Sequence, residues 1–310
     1  MYLITGGAGF IGSNVAHHLI QKGEQVRILD NFLTGRRENL SGIEDKIELV
    51  EADLCDRDAV GAAVQGVRYI LHFGALPSVI RSVEDPWSAN AVNIDGTLNL
   101  LLAARDAGVD RLVFSSSSSV YGDTPVLPKR EDMTPMPLSP YALHKLAGEH
   151  YCRMFYSLYG FKTYALRYFN VFGPRQNPKS DYAAVIPLFI KACIEDRAPV
   201  IHGDGGQTRD FTFVEDIISA NLACCTAPDS AAGKFFNVAW GNRISIKELA
   251  LTIAGILGKD IQPVHDPARA GDVRDSQADP RLAKEHIGWE PRITFEEGLA
   301  RTIAWYQQQG

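Results

Sequence analysis

A tyrosine and a lysine four residues apart, Tyr141 and Lys145, carry the strongest acid/base signal in this 310-residue chain. On a helix that spacing puts both side chains on one face, where the ammonium can stabilise a phenolate and lower a pKa that otherwise lies near 10. Tyr141 is the only tyrosine with a lysine at that offset, although the spacing taken alone is a weak signal. It gains weight from Ser115-Ser116-Ser117-Ser118-Ser119, a run of hydroxyls closing an apolar stretch upstream, where one hydroxyl can bridge a substrate and the tyrosine. Such a set is suited to taking a proton from a hydroxyl and giving it back.

A second motif supplies a cradle. Gly6-Gly7-Ala8-Gly9-Phe10-Ile11-Gly12 follows the apolar Tyr2-Leu3-Ile4-Thr5 and opens into an amphipathic run from Ile11 to Gln21, so it lies where a first strand hands over to a first helix. Glycines at this spacing give a tight turn, close approach of backbone to a pyrophosphate and close packing of helix on strand. The amides and dipole at the start of the helix then face the phosphates. A dinucleotide is the expected ligand.

The elements that must position these groups emerge from the patterning. Apolar runs at Gln25 to Leu29, Ile47 to Val50, Tyr69 to Phe73, Leu112 to Ser115 and Thr163 to Arg167 read as strands, separated by helical segments. Long helices are expected from Pro86 to Ala107 and from Pro140 to Tyr159, the second opened by the tyrosine motif. This alternation predicts an α/β fold: a Rossmann-type doubly wound parallel sheet with helices on both faces and ligands at the carboxyl ends of the strands. After about residue 170 the texture changes to prolines, a Gly203-Asp204-Gly205-Gly206 turn and shorter elements. The expected division is a dinucleotide-binding domain over 1–169 and a smaller α/β substrate domain over 170–310, with a return segment near 214–226.

Composition narrows the class. A hydrophobic content of 45% allows one large core or two joined ones, and the net charge of −6 with scattered Lys and Arg argues against a nucleic-acid surface. Five cysteines without a C-x-x-C, and eight histidines without metal-ligand spacing, argue against a disulfide frame and against a metal site. No apolar stretch reaches the length of a membrane span, and residue 2 already belongs to the first strand. A cytoplasmic protein is expected. Trp87, Trp240, Trp289 and Trp305 read as core or interface residues.

Asp30 closes the second strand about two dozen residues beyond the glycines, where a carboxylate bonds the ribose hydroxyls and repels a 2′-phosphate. Asn31 follows it in place of an arginine, which favours NAD over NADP, with Arg36 and Arg37 on the next loop as the counter-argument. Asp53 with Leu54 is an adenine contact or, equally, a solvated loop pair.

Together these motifs resemble the extended short-chain dehydrogenase/reductase family over nearly the whole chain. The carrying residues are Gly6 to Gly12, Asp30-Asn31, Asp53-Leu54, His72-Phe73-Gly74-Ala75, Ser115 to Gly122, Tyr141 to Lys145 and Leu166 to Gly173. Within it the chain resembles nucleotide-sugar 4-epimerases of the UDP-N-acetylglucosamine/UDP-glucose type. The resemblance implies a catalytic triad of Ser117, Tyr141 and Lys145. It implies NAD contacts from Gly6, Gly9, Phe10, Ile11, Gly12, Asp30, Asn31, Asp53, Leu54, Phe73, Gly74, Ala75, Tyr141 and Lys145. It also implies a UDP-sugar held by Ser78, Ser117, Asn170, Gln176, Ala184, Arg209, Arg269, Arg274 and Ser276. Two arginines suit a diphosphate on physical grounds as well, although either alone would ordinarily be a solvated surface residue.

Relatives that dehydrate or decarboxylate carry an acid where Ser118 or Ser119 stands here, so the resemblance implies that a 4-keto sugar has only hydride return open to it. Ser276 occupies a position where epimerases restricted to non-acetylated hexoses carry tyrosine, which implies room for an N-acetyl group. The segments Ala75 to Ser82, Gln176 to Pro187 and Gly271 to Ser276 point the same way, whereas Pro77 departs from the lysine of hexose-type enzymes. UDP-glucuronate 4-epimerase is the second reading, lowered by Asn170 where threonine is expected. A non-catalytic NAD-binding redox sensor is the third, opposed by the intact triad. By the same resemblance the helices beginning at Pro86 and Pro140 pair across a two-fold axis into a homodimer.

Overall fold

The computed structural model describes residues 1–178, 184–268 and 274–309. The first strand, β1 (Tyr2–Thr5), is almost wholly buried on both faces, as a continuous apolar run in a parallel sheet must be. It is joined by β2 (Val26–Asp30), β3 (Ile47–Glu51), β4 (Tyr69–His72), β5 (Arg111–Ser117) and β6 (Lys162–Tyr168), each within a residue or two of its apolar run. With Phe235–Val238 they make one seven-stranded sheet, in the order Phe235–Val238, β6, β5, β4, β1, β2, β3, parallel throughout. The order reverses at β1, whose neighbours are β2 and β4, and a crevice for a ligand opens at the carboxyl ends of these strands.

Alternate side chains of the strands feed two cores, one on each face of the sheet. Ile4, Ile28, Leu71 and Val113 pack to one side, and Leu3, Leu29, Ile70 and Leu112 to the other. A third core lies farther along the chain, among the helices Val185–Ile194, Ile246–Ile256 and Phe295–Gln309. Helix Val214–Thr226 contributes Ile217, Ile218 and Cys224 to the first core, so chain beyond residue 170 helps to cover and extend the main sheet. Short two-stranded pairings complete the later part: Val171–Phe172 with Thr212–Phe213, Thr208–Arg209 with Ile244–Ser245, and Val200–His202 with Val264–Asp266.

Two helices flank the crevice and bear most directly on its chemistry. The helix Pro140–Tyr159 is capped by Ser139, whose side chain accepts from Ala142 N at 3.2 Å, carries proline at its first position and stops at Gly160 in the left-handed region. The helix expected from Pro86 to Ala107 is not uniform. It runs as Pro86–Asn90, passes through a wider π turn at Ala91–Asp95 and resumes as Gly96–Asp106. A π turn inserts one residue and frees a carbonyl, which periodicity alone does not reveal.

Candidate active site

The glycine turn comes first, because its backbone sets the rest. Gly6 has φ +65°, and a Cβ on Gly12 would sit 2.3 Å from the Gly6 carbonyl oxygen, so neither position admits a side chain. Helix α1 (Phe10–Gln21) therefore starts hard against β1. Its N-cap, Gly9, offers no side-chain cap and its first turn holds no acidic residue. First-turn amides without an internal acceptor, at the positive end of a helix dipole, fit an anionic pyrophosphate.

One cleft above the strand ends is lined by every residue assigned to the cofactor, from Gly6, Gly9, Phe10, Ile11 and Gly12 through Asp30, Asn31, Asp53, Leu54, Phe73, Gly74 and Ala75 to Tyr141 and Lys145. Asp30 is fixed by two backbone donors, Ala8 N to Oδ2 and Phe32 N to Oδ1, each at 2.8 Å. Burial raises its pKa, opposed by those bonds. Asn31 donates to Asp53 at 2.7 Å, so these two form one polar unit on the cleft wall. Arg36 pairs with Glu38 and Arg37 with Glu51, so both of the cations that might have argued for a 2′-phosphate carry carboxylate partners. The residues present fit NAD; Leu76 and Pro77 of the Ala75 to Ser82 segment join the lining, as do Leu29, Leu33, Thr34, Ala52 and Val92 without a motif to announce them.

At the nicotinamide end, Tyr141 and Lys145 leave the helix Pro140–Tyr159 on its inward face. Lys145 is 4% exposed and donates to Ser115 O at 2.7 Å, with its Nζ 4.9 Å from the Phe114 ring and 5.7 Å from the Tyr141 ring. Burial without a carboxylate partner lowers the lysine to about 8. Burial also raises the Tyr141 phenol to about 12, offset in part by its hydrogen bond with Ser117. Ser117 Oγ accepts from Ser119 N at 3.1 Å, which leaves its own proton for a donor role.

Below this group lies a buried ion pair that the motifs did not mark. Arg167 on β6 is 0% exposed and bonds Glu149 in fork geometry, Nε to Oε1 at 2.8 Å and Nη2 to Oε2 at 2.7 Å. Ser116 donates to the same carboxylate. Glu149 stands four residues beyond Lys145, on the same helix face as Tyr141 and Lys145, and that spacing was the available signal.

A second cleft adjoins Thr208–Arg209 and is lined by Asn170, Gln176, Ala184 and Arg209 among the expected substrate residues. Its remaining wall is apolar, with Phe172, Ile186, Phe189, Phe211 and Ile246, and polar at His202 and Gln207. Asn170, at φ +31°, donates to Asp210 O at 3.1 Å. Arg209 Nη1 donates to Thr208 O and Arg274 O, at 2.9 and 3.2 Å. Ser276 is half-buried, its N–H bonded to Thr208 O at 3.1 Å, which places its segment alongside Arg209. Four expected contacts line neither cleft: Ser117, which bonds Tyr141; Ser276; and two whose side chains are engaged elsewhere. Arg274 is exposed and forks onto Asp204 at 2.9 and 3.0 Å, and Ser78 caps helix Val79–Glu84 by accepting from Arg81 N. Arg269 lies outside the described residues.

Among the described residues no cluster of His, Cys, Asp and Glu could hold a metal ion, and no helix is long and apolar enough to cross a membrane.

Residues 2–239 match the NAD dependent epimerase/dehydratase family. The chain belongs to this family. Its cofactor is NAD. A UDP-glucose 4-epimerase of Mycolicibacterium smegmatis is 41% identical over 311 residues, covering 99% of this chain and 98% of that protein. Two solved structures are close in shape. A UDP-N-acetylglucosamine 4-epimerase from Methanobrevibacter ruminantium, in complex with UDP-N-acetylmuramic acid, superposes with a TM-score of 0.95 at 39% identity, over 100% of this chain and 98% of that one. A UDP-glucose 4-epimerase from Thermotoga maritima with UDP-glucose gives 0.94 at 36% identity, over 99% of both chains.

Proposed function

We propose that this NAD-dependent UDP-sugar 4-epimerase interconverts UDP-N-acetylglucosamine and UDP-N-acetylgalactosamine in preference to other sugars, and also acts on UDP-glucose and UDP-galactose. The observation that carries the preference is the small Ser276 on the segment bonded to Thr208, beside Arg209. The resemblance implies a tyrosine at this position in epimerases restricted to non-acetylated hexoses, so the smaller serine supports room for an acetyl group, and the likeness to a UDP-N-acetylglucosamine 4-epimerase supports the same reading.

In turnover, Tyr141 takes the proton of the sugar 4-hydroxyl and later returns it, with Ser117 donating to the same oxygen. The glycine turn and Asp30 would hold NAD, whose chemistry would be to take up hydride from C4 and supply it back. Lys145 contributes fixed positive charge beside the phenol and anchors the group through Ser115. Arg209 and Asn170 hold the diphosphate while the 4-keto sugar turns about that link and presents its other face. Ser118 and Ser119 supply no carboxylic acid for elimination or decarboxylation, so reduction is the open exit.

The same reading makes 1–169 the cofactor part and 170–310 mainly the sugar-nucleotide part, and makes the protein a cytoplasmic homodimer. Support for the dimer comes from large apolar side chains left exposed on the two helical segments: Trp87 at 86%, Leu143 at 53% and Leu158 at 69%. Ser276→Tyr tests the substrate preference. It should lower kcat/KM for UDP-N-acetylglucosamine on the order of 10- to 100-fold, the effect of overpacking a pocket by about 1–3 kcal/mol, and leave UDP-glucose nearly unchanged. Equal loss for both sugars would defeat the acetyl-pocket assignment.

A further inference from the structure

His72, at the end of β4, is 1% exposed and takes no part in the proton and hydride transfers of the reaction. Its ring links two threonines, Nδ1 to Thr5 Oγ1 at 2.6 Å and Nε2 to Thr97 Oγ1 at 3.0 Å. The neighbours fix which nitrogen carries the proton. Thr97 donates its one hydroxyl proton to the Asn93 carbonyl at 2.7 Å, an acceptor with no alternative role. Thr97 Oγ1 must therefore accept from His72 Nε2–H. At the other side Gly74 N donates to Thr5 Oγ1 at 3.1 Å, which leaves the Thr5 hydroxyl proton for a bare Nδ1. Burial and the nearby Lys145 charge both oppose an imidazolium and lower its pKa to about 3.

The chain of bonds closes on itself. Asn93 sits in the π turn, and its side chain clamps Leu76 at both backbone groups, accepting from Leu76 N at 2.7 Å and donating to Leu76 O at 3.2 Å. One end of the chain thus holds Gly74 and the other holds Leu76, with His72 in the middle. Both residues line the cofactor cleft. Gly74 also touches the glycine turn so closely that a Cβ on Gly6 would lie 2.7 Å from Gly74 N. A shift of this loop is therefore a shift of the cofactor bed.

We propose that His72, as the neutral Nε2-protonated tautomer, is a positioning residue for NAD, closing a hydrogen-bonded circuit through Thr5, Thr97 and Asn93 that pins the loop Gly74–Leu76 against the glycine turn. Thr97→Val keeps the side-chain shape and removes the acceptor for His72, whereas Thr97→Ser keeps the hydroxyl. The rate of NAD release from each holoenzyme, followed by exchange against isotopically labelled NAD, should rise about tenfold in Thr97→Val, the effect of leaving a buried donor unpaired. It should stay near the parent rate in Thr97→Ser, and the KM for the UDP-sugar should not move in either. Nitrogen-15 NMR of the parent protein, with the His72 signals assigned by His72→Gln, should show a protonated Nε2 and a bare Nδ1 that do not change between about pH 5 and 9, where the unperturbed imidazole would titrate. NAD release unchanged in Thr97→Val, equal loss in Thr97→Ser, or an imidazolium or Nδ1–H form of His72 would overturn the proposal.

Discussion

Gly148→Ala tests how tightly the helix Pro140–Tyr159 must lie on the sheet for Tyr141 and Lys145 to be placed. A Cβ at Gly148 would meet the edge of the Phe114 ring, with Cζ at 2.3 Å, Cε1 at 2.7 Å and Cε2 at 2.9 Å. Phe114 has little room to yield: it is 2% exposed, packs against the His72 ring at 5.6 Å and lies 4.9 Å from Lys145 Nζ. The contact is about 1 Å short of van der Waals separation, so the helix must move outward by on the order of that distance. Two energies oppose. Alanine favours the helix over glycine by about 1 kcal/mol, and overpacking costs about 1–3 kcal/mol. The net is a loss of up to about 2 kcal/mol, a fall of several degrees in Tm. The catalytic effect is larger, because a misplacement of about 1 Å costs on the order of 100-fold in kcat. Calorimetry and initial rates on the same preparation read both. Gly61, on helix Arg57–Ala63, has nothing within 4 Å of its Cβ position and serves as the control, since Gly61→Ala should be neutral or stabilising with kcat intact. A Gly148→Ala protein with raised Tm and full kcat would refute the close seating of this helix.

Tyr141→Phe should lower kcat by on the order of 100- to 10,000-fold, the range for loss of a positioned acid/base, and leave bound NAD in place; loss of NAD with the activity would instead assign Tyr141 a binding role. Because burial lowers Lys145 from 10.5 to about 8, its charge is complete below that pH and lost above it, so kcat/KM should fall as pH rises through about 8. Over the same window the unfolded lysine still holds its proton, so its contribution to stability increases between pH 8 and 10.5. Activity should therefore fail on the alkaline side without loss of Tm, and Lys145→Arg, if it retains turnover, should lack that limb because guanidinium stays charged.

Much of the cofactor side is legible from sequence because backbone geometry demands particular residues there. Gly6 and Gly12 cannot be replaced without a collision, and the tyrosine and lysine must share a helix face. The substrate side is less legible. Phe172, Phe189, Phe211 and Ile246 line a cleft, yet in the sequence they have the same apolar character as core residues. Charged residues are equally ambiguous one at a time: Arg167 reads as the end of a strand and proves to be buried against Glu149, while Arg274, expected on the substrate, spends its guanidinium on Asp204. The π turn that sets Asn93 has no glycine or proline of its own to mark it within Ala91–Asp95, and the clamp of Asn93 on Leu76 is a contact seventeen residues away in sequence.

The most direct measurement is proton NMR of the purified protein incubated with UDP-N-acetylglucosamine, and separately with UDP-glucose and UDP-glucuronate, before and after NAD is added. The account predicts UDP-N-acetylgalactosamine as the fastest-formed product. Conversion of UDP-glucuronate alone would contradict the acetyl-pocket reading, and no conversion of any of the three with NAD present would contradict the epimerase mechanism itself.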